Sequence, residues 1–186
     1  NDYTVALSGT SAQVAAALDG TFAAPYTGTA TVSNAHTLAQ LKTINDGTTG
    51  TITLNDVTVA LSGSTADVKA ALDGTFAAGY TGNVTLDDTG SVAAADISTI
   101  AGDTSGTVTV SGNMNITGTA AQIETAVGDV DSFSGTPTAT LSNAHTTAQL
   151  ATINTALSGQ LTLNDYTVAL SGTSAQVAAA LDGTFA

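Results

Sequence analysis

The chain has 186 residues, with fifteen acidic side chains set against only Lys42 and Lys69, and this net charge of -13 excludes nucleic acid and anionic membrane as partners. Charged residues make up 9% and hydrophobic residues 42%, too apolar for a disordered linker, and the lack of cysteine excludes a disulfide framework and a thiolate metal site. No apolar run approaches the roughly 20 residues needed to span a bilayer, and no basic start followed by an apolar stretch suggests a signal peptide.

The first element is a strand that ends before Gly9. Thr10 and Gln13 then form a capping box, and Val14, Ala17 and Leu18, spaced three and four apart, predict a helix that Gly20 stops in a left-handed conformation. The turn that follows holds Phe22 and Tyr26. These rings are expected to fill a core otherwise made of Ala, with stacking on sugar rings as the alternative. Thr29 and Thr31 mark a strand. His36 enters a second helix, capped by Thr37 and Gln40 and faced by Leu38, Leu41 and Ile44; it reads as a packing residue at the helix entry.

Thr51-Ile52-Thr53-Leu54 and Thr58-Val59-Ala60-Leu61 alternate Thr with apolar residues, a period of two that predicts strands with an aliphatic stripe inward and hydroxyls outward. Ser64 with Asp67 opens the third helix, Gly74 closes it, and Phe76 and Tyr80 repeat the aromatic turn. A degenerate helix over 91–100 ends at Gly102, and Thr107–Val110 forms another alternating strand. Thr119 with Gln122, up to Gly128, and Thr146 with Gln149, after His145, frame two further helices, with Thr138 and Thr140 on the strand between them. Gly183 is the stop of the last helix. The Thr-x-Thr pairs also permit a flat hydroxyl ladder like that of ice-binding β-solenoids, a lower-ranked option.

Repeats organise all of this. Asn1–Ala23 returns unchanged as Asn164–Ala186, and Asn55–Ala77 is a close copy at an offset of 54. The glycine after the strand marks each period, at Gly9, Gly63, Gly118 and Gly172. Thr10, Gln13 and Val14 match Thr37, Gln40 and Leu41 at an offset of 27, so each period holds two related halves. The expected divisions are 1–54, 55–109 and 110–163 as double repeats and 164–186 as the start of the next, all in one continuous solenoid. No end shows the polar repeat that caps such arrays, so the array is expected to extend in both directions. The expected fold is α/β: a repeat solenoid with parallel β-sheet rungs and short connecting helices, about 27 residues per unit and 54 per double unit. One unit buries too little apolar surface to fold alone, so stacking on neighbours is obligatory.

No Ser, His and Asp combination recurs at a consistent spacing, so no catalytic residue is assigned and the chain is not expected to be an enzyme. Asp46, Asp87, Asp88, Asp103, Asp129 and Asp131 lie in predicted turns, where carboxylates and carbonyls are candidate calcium ligands; the competing explanation is the turn preference of Asp itself. No other cofactor is expected.

The Thr-rich strand, the Ser-Gly-Thr-x-Ala-Gln helix start and the Tyr-Thr-Gly turn, copied at high identity along the whole chain, resemble the repeats of giant bacterial cell-surface and adhesin-type proteins. That resemblance implies an extracellular, cell-surface location and a structural role in a filament, fibre or adhesin stalk. The partners it implies are neighbouring repeats or identical subunits end to end, with glycans or another cell surface as further ones. A calcium- or glycan-binding adhesive module is the alternative.

Overall fold

A computed structural model describes residues 2–186. In chain order the elements are β1 (Leu7–Gly9), α1 (Ser11–Leu18), β2 (Ala30–Val32), α2 (Leu38–Gly47), β3 (Ile52–Thr53), β4 (Leu61–Gly63), α3 (Thr65–Leu72), β5 (Val84–Leu86), β6 (Ser91–Ala93), α4 (Ala94–Asp103), β7 (Val108–Val110), β8 (Asn115–Gly118), α5 (Ala120–Asp129), β9 (Ser132–Phe133), β10 (Thr138–Leu141), α6 (Thr147–Ala156), β11 (Leu161–Thr162) and α7 (Ser174–Leu181). The fold is α/β with parallel strands. Two compact units divide it, residues 1–85 with 102–107 and residues 86–101 with 108–186.

In the first unit β1, β2 and β3 pair in parallel, with Leu7 opposite Ala30 and Ala30 opposite Ile52, and Ile52 bridges onward to Phe76. β4 joins β5 in another sheet, the amide of Leu61 donating to the carbonyl of Asn83. α1 packs on α2, and α2 on α3. Val14, Leu18, Tyr26, Ala30, Val32, Ile44 and Ile52 form one buried cluster beneath them. In the second unit β6, β8, β10 and β11 form a parallel sheet, β7 pairs with β9, and α5, α6 and α7 pack in succession. Ile116, Ile123, Leu141, Leu150, Ile153 and Leu161 are fully buried there. Each such side chain contributes about 1.5–3 kcal/mol.

The helices start where the capping residues place them. Thr10, Thr37, Thr119, Thr146 and Thr173 each accept from the N3 amide while the N3 glutamine returns to the cap backbone, and Ser64 caps α3 by accepting from Asp67. The helix stops differ from expectation. Gly20, Gly74 and Gly183 have no positive φ, and Gly102 and Gly128 lie inside α4 and α5; among the described residues only Gly172 has positive φ, at 145°. α1 and α3 instead end on Asp19 and Asp73, whose amides donate to Ala15 and Lys69.

The helices keep the 27-residue spacing: α1, α2 and α3 begin at 11, 38 and 65, and α5, α6 and α7 at 120, 147 and 174. The strands do not. Their pairing takes shorter steps, as from Leu7 to Ala30, from Ala30 to Ile52 and from Ser91 to Asn115. β1 and β4, which carry the same Leu-Ser-Gly in successive periods, stand in different sheets. The local cause is the way each strand enters its helix. β1, β4 and β8 reach their helices through one capping residue, whereas Ser33–Thr37 and Ser142–Thr146 intervene after β2 and β10 and absorb the difference. The strand expected at Thr58–Leu61 begins only at Leu61, because the Asp56 carboxylate accepts from both the amide and the hydroxyl of Thr58 and holds a turn there.

Candidate functional site

The aromatic turns sit against the first unit's core. Tyr26 and Tyr80 are buried, and their hydroxyls donate to the carbonyls of Val5 and Val59, the same contact in successive periods. Phe22 lies 5.7 Å from Tyr26 and Phe76 lies 6.4 Å from Tyr80, centroid to centroid. Both tyrosines therefore fill the core, as the Ala-rich sequence led us to expect, while Phe22 keeps 37% of its surface exposed.

His36 is buried at the entry to α2, its Nε2 3.1 Å from the Tyr80 hydroxyl. The single Tyr80 proton goes to Val59 at 2.5 Å, so Nε2 carries the imidazole proton and donates it to the phenol oxygen. Nδ1 is then a buried lone pair without a hydrogen-bond partner. Burial lowers the His36 pKa, opposed by the Asp56 carboxylate, and burial first, then Asp56, raises that of Tyr80 far above its ordinary value. His145 occupies the equivalent entry to α6, equally buried, and its Nδ1 is also without a partner.

The six candidate calcium ligands do not come together. Asp46 accepts from the Lys42 ammonium at 2.6 Å, and the Asp131 carboxylate accepts from the Val108 amide at 2.7 Å. Asp87 and Asp129 are exposed, Asp129 as the last residue of α5, and Asp88 is half-buried. Asp103 is half-buried near Asp73 and Lys69; burial first, then the Asp73 charge, raises its pKa, and Lys69 opposes them. Among the described residues no three His, Asp or Glu side chains converge.

One concavity of the first unit combines aromatic and charged walls. Phe22, Pro25 and Tyr26 face Lys42 and Asp46 across an open cleft of about 660 Å³, with Asp19 on its rim. Three of these residues are particular to this period: Gly79 replaces Pro25 in the next aromatic turn, and Ala151 and Thr155 stand on α6 where α2 has Lys42 and Asp46. The Thr-x-Thr hydroxyls point outward as the alternation predicts, and in the second unit they engage their neighbours: Thr138 and Thr140 both donate to the Asn115 side chain at 3.2 Å.

Sequence reasoning missed the residues that tie segments 20 to 26 residues apart. The buried Thr48 hydroxyl donates to Gly28 at 2.7 Å and accepts from Gly50, and Thr104 does the same for Gly82 at 2.8 Å and Gly106. The Asn45 side chain donates to the Ala70 carbonyl at 2.7 Å, and Asn154 to that of Ala180 at 2.5 Å. The traces in the sequence are a Thr-x-Gly recurring at 48–50 and 104–106 and a Thr-Ile-Asn recurring at 43–45 and 152–154. Comparison with family models, with curated proteins and with solved structures gave no match for this chain.

Proposed function

We propose that the chain is a segment of an α/β solenoid, built from half-repeats of about 27 residues. It serves as the structural repeat of an extracellular bacterial filament, surface fibre or adhesin stalk, with no catalytic role. One observation carries this reading. The side-chain ties recur from period to period and run between segments 20 to 26 residues apart: tyrosine to the Val5 and Val59 carbonyls, threonine to Gly28 and Gly82, asparagine to Ala70 and Ala180. Each module is thus secured by the next one along, which is the economy of a repeat array and suits an element whose output is length. The acidic surface keeps adjacent fibres apart and is screened over about 8 Å in saline surroundings.

Electron microscopy of the native protein, with antibody labelling of intact cells, tests this. Surface-anchored rods are expected; compact particles confined within the cell contradict it. The cleft between Phe22 and Lys42 favours a second reading, recognition of a glycan in that period, because an exposed ring beside hydrogen-bonding charges is a fitting platform for a sugar face. Binding on a glycan array that is lost in Phe22→Ala distinguishes it.

A further inference from the structure

The chain contains its own control. Asn1–Ala23 and Asn164–Ala186 have the same sequence and the same helix, yet different surroundings. In α1, Leu18 is 3% exposed, and Val14 and Ala15 are buried. In α7, the equivalent Leu181 is 56% exposed, Ala178 is exposed and Val177 is only half-buried. Ala180 is fully buried, because the opposite side of α7 rests on α6. What differs is the cover on one face. Over α1 that cover is α2, whose Ile44 joins the cluster containing Val14 and Leu18, and whose Gly47 packs on the Leu18 side chain so closely that a Cβ would lie 2.6 Å from it. A second difference lies alongside: the His36 ring meets the phenol of a tyrosine 44 residues later, whereas the equivalent His145 ring has no such tyrosine among the described residues and lines a cavity of about 320 Å³ with Ala169 and Gln176.

We propose that the uncovered face of α7, together with the His145 site, is a docking surface for a half-repeat of the type formed by residues 24–54, whose aromatic turn supplies a tyrosine to His145 and whose helix supplies an isoleucine and a closely packed glycine to Leu181. The occupant follows from the first unit, where those residues cover the identical sequence. This inference rests on reading the chain as stacked half-repeats.

The test appends a second copy of residues 24–54 after Ala186. In that chain the new copy of Tyr26 stands 44 residues after His145, the separation of His36 and Tyr80. By NMR, the α7 amides are expected to exchange at least tenfold more slowly than in the unextended chain, Leu181 protons to contact the copies of Ile44 and Gly47, and the His145 ring to contact the copied tyrosine. Appended residues without protection, with α7 exchange unchanged, would overturn the proposal. Leu181→Asp in the extended chain is expected to restore fast exchange in α7 and leave α1 and α2 unaffected; protection that survives this change also overturns it. Docking of the extension without longer rods in electron micrographs removes the filament reading and keeps the site, whereas rods that lengthen around an undocked extension remove the site alone.

Discussion

His36 donates from Nε2 to the hydroxyl of Tyr80, 3.1 Å away, and so joins the entry of α2 to an aromatic turn 44 residues further along the chain. The unfolded chain holds the imidazole proton more tightly than the folded one, because the folded pKa is depressed below 6.5 by burial. The stability that neutral His36 contributes is therefore complete above pH 6.5 and is lost as pH falls from there through the lower folded value. Denaturation midpoints between pH 7.5 and 5 are expected to fall more steeply for the native chain than for His36→Gln. Parallel slopes would refute this.

Tyr80→Phe removes the acceptor for His36 and the donor for Val59 together. It leaves two buried polar groups unsatisfied, an expected loss of about 1–3 kcal/mol in chemical denaturation.

The two identical helices make a paired test of packing. Leu18→Ala opens a cavity under α2 and is expected to cost about 2–5 kcal/mol, whereas Leu181→Ala removes a side chain already 56% exposed and is expected to stay within about 0.5 kcal/mol. Hydrogen exchange of each helix reads the two effects separately, and equal losses at both positions would contradict the burial difference.

Glycine is required where two backbone segments approach closely. A Cβ on Gly28 or Gly82 would lie 2.1 Å from the carbonyl oxygen of Val5 or Val59, while Gly90 has nothing within 4 Å of such an atom. Gly28→Ala and Gly82→Ala are expected to cost about 1–3 kcal/mol in denaturant titrations, and Gly90→Ala less than about 0.5 kcal/mol.

Calcium is expected to leave the melting temperature unchanged, and so is its removal with EDTA. Asp46 is engaged by Lys42 and Asp131 by a backbone amide, and among the described residues no group of three potential ligands gathers around either. A calcium-dependent rise of several degrees would show that the turns gather a site on binding the ion.

Much of the local structure could be read from residue order alone, because it is decided within four or five positions of the chain. Thr10 with Gln13 specifies a helix start whatever surrounds it, and Thr51–Leu54 fixes which side chains face inward. Helix stops were misread because Asp19 and Asp73 close the last turn through their own amides without any left-handed residue. Strand register was not legible either. It depends on lateral hydrogen bonds such as Leu7 to Thr29, and on how much chain Ser33–Thr37 takes up before α2 begins, neither of which leaves a periodic signature. The recurrence of His36 and His145 was visible, but the partner of His36 lies 44 residues away, and only the folded chain identifies it as Tyr80. The candidate metal ligands did not assemble either: Asp46, Asp103 and Asp129, expected in turns, lie in the last turns of α2, α4 and α5, and nothing in the sequence draws them together with the other three.

Small-angle scattering on the chain and on versions lengthened by one and two whole periods tests the stacking of modules most directly. Leu7 pairs with Ala30 and Ala30 with Ile52, so one period holds two successive strand steps. Each added period is therefore expected to lengthen the particle by two rungs, about 10 Å, at constant cross-section. A cross-section that grows with each period, or a maximum dimension that stays fixed, would contradict it.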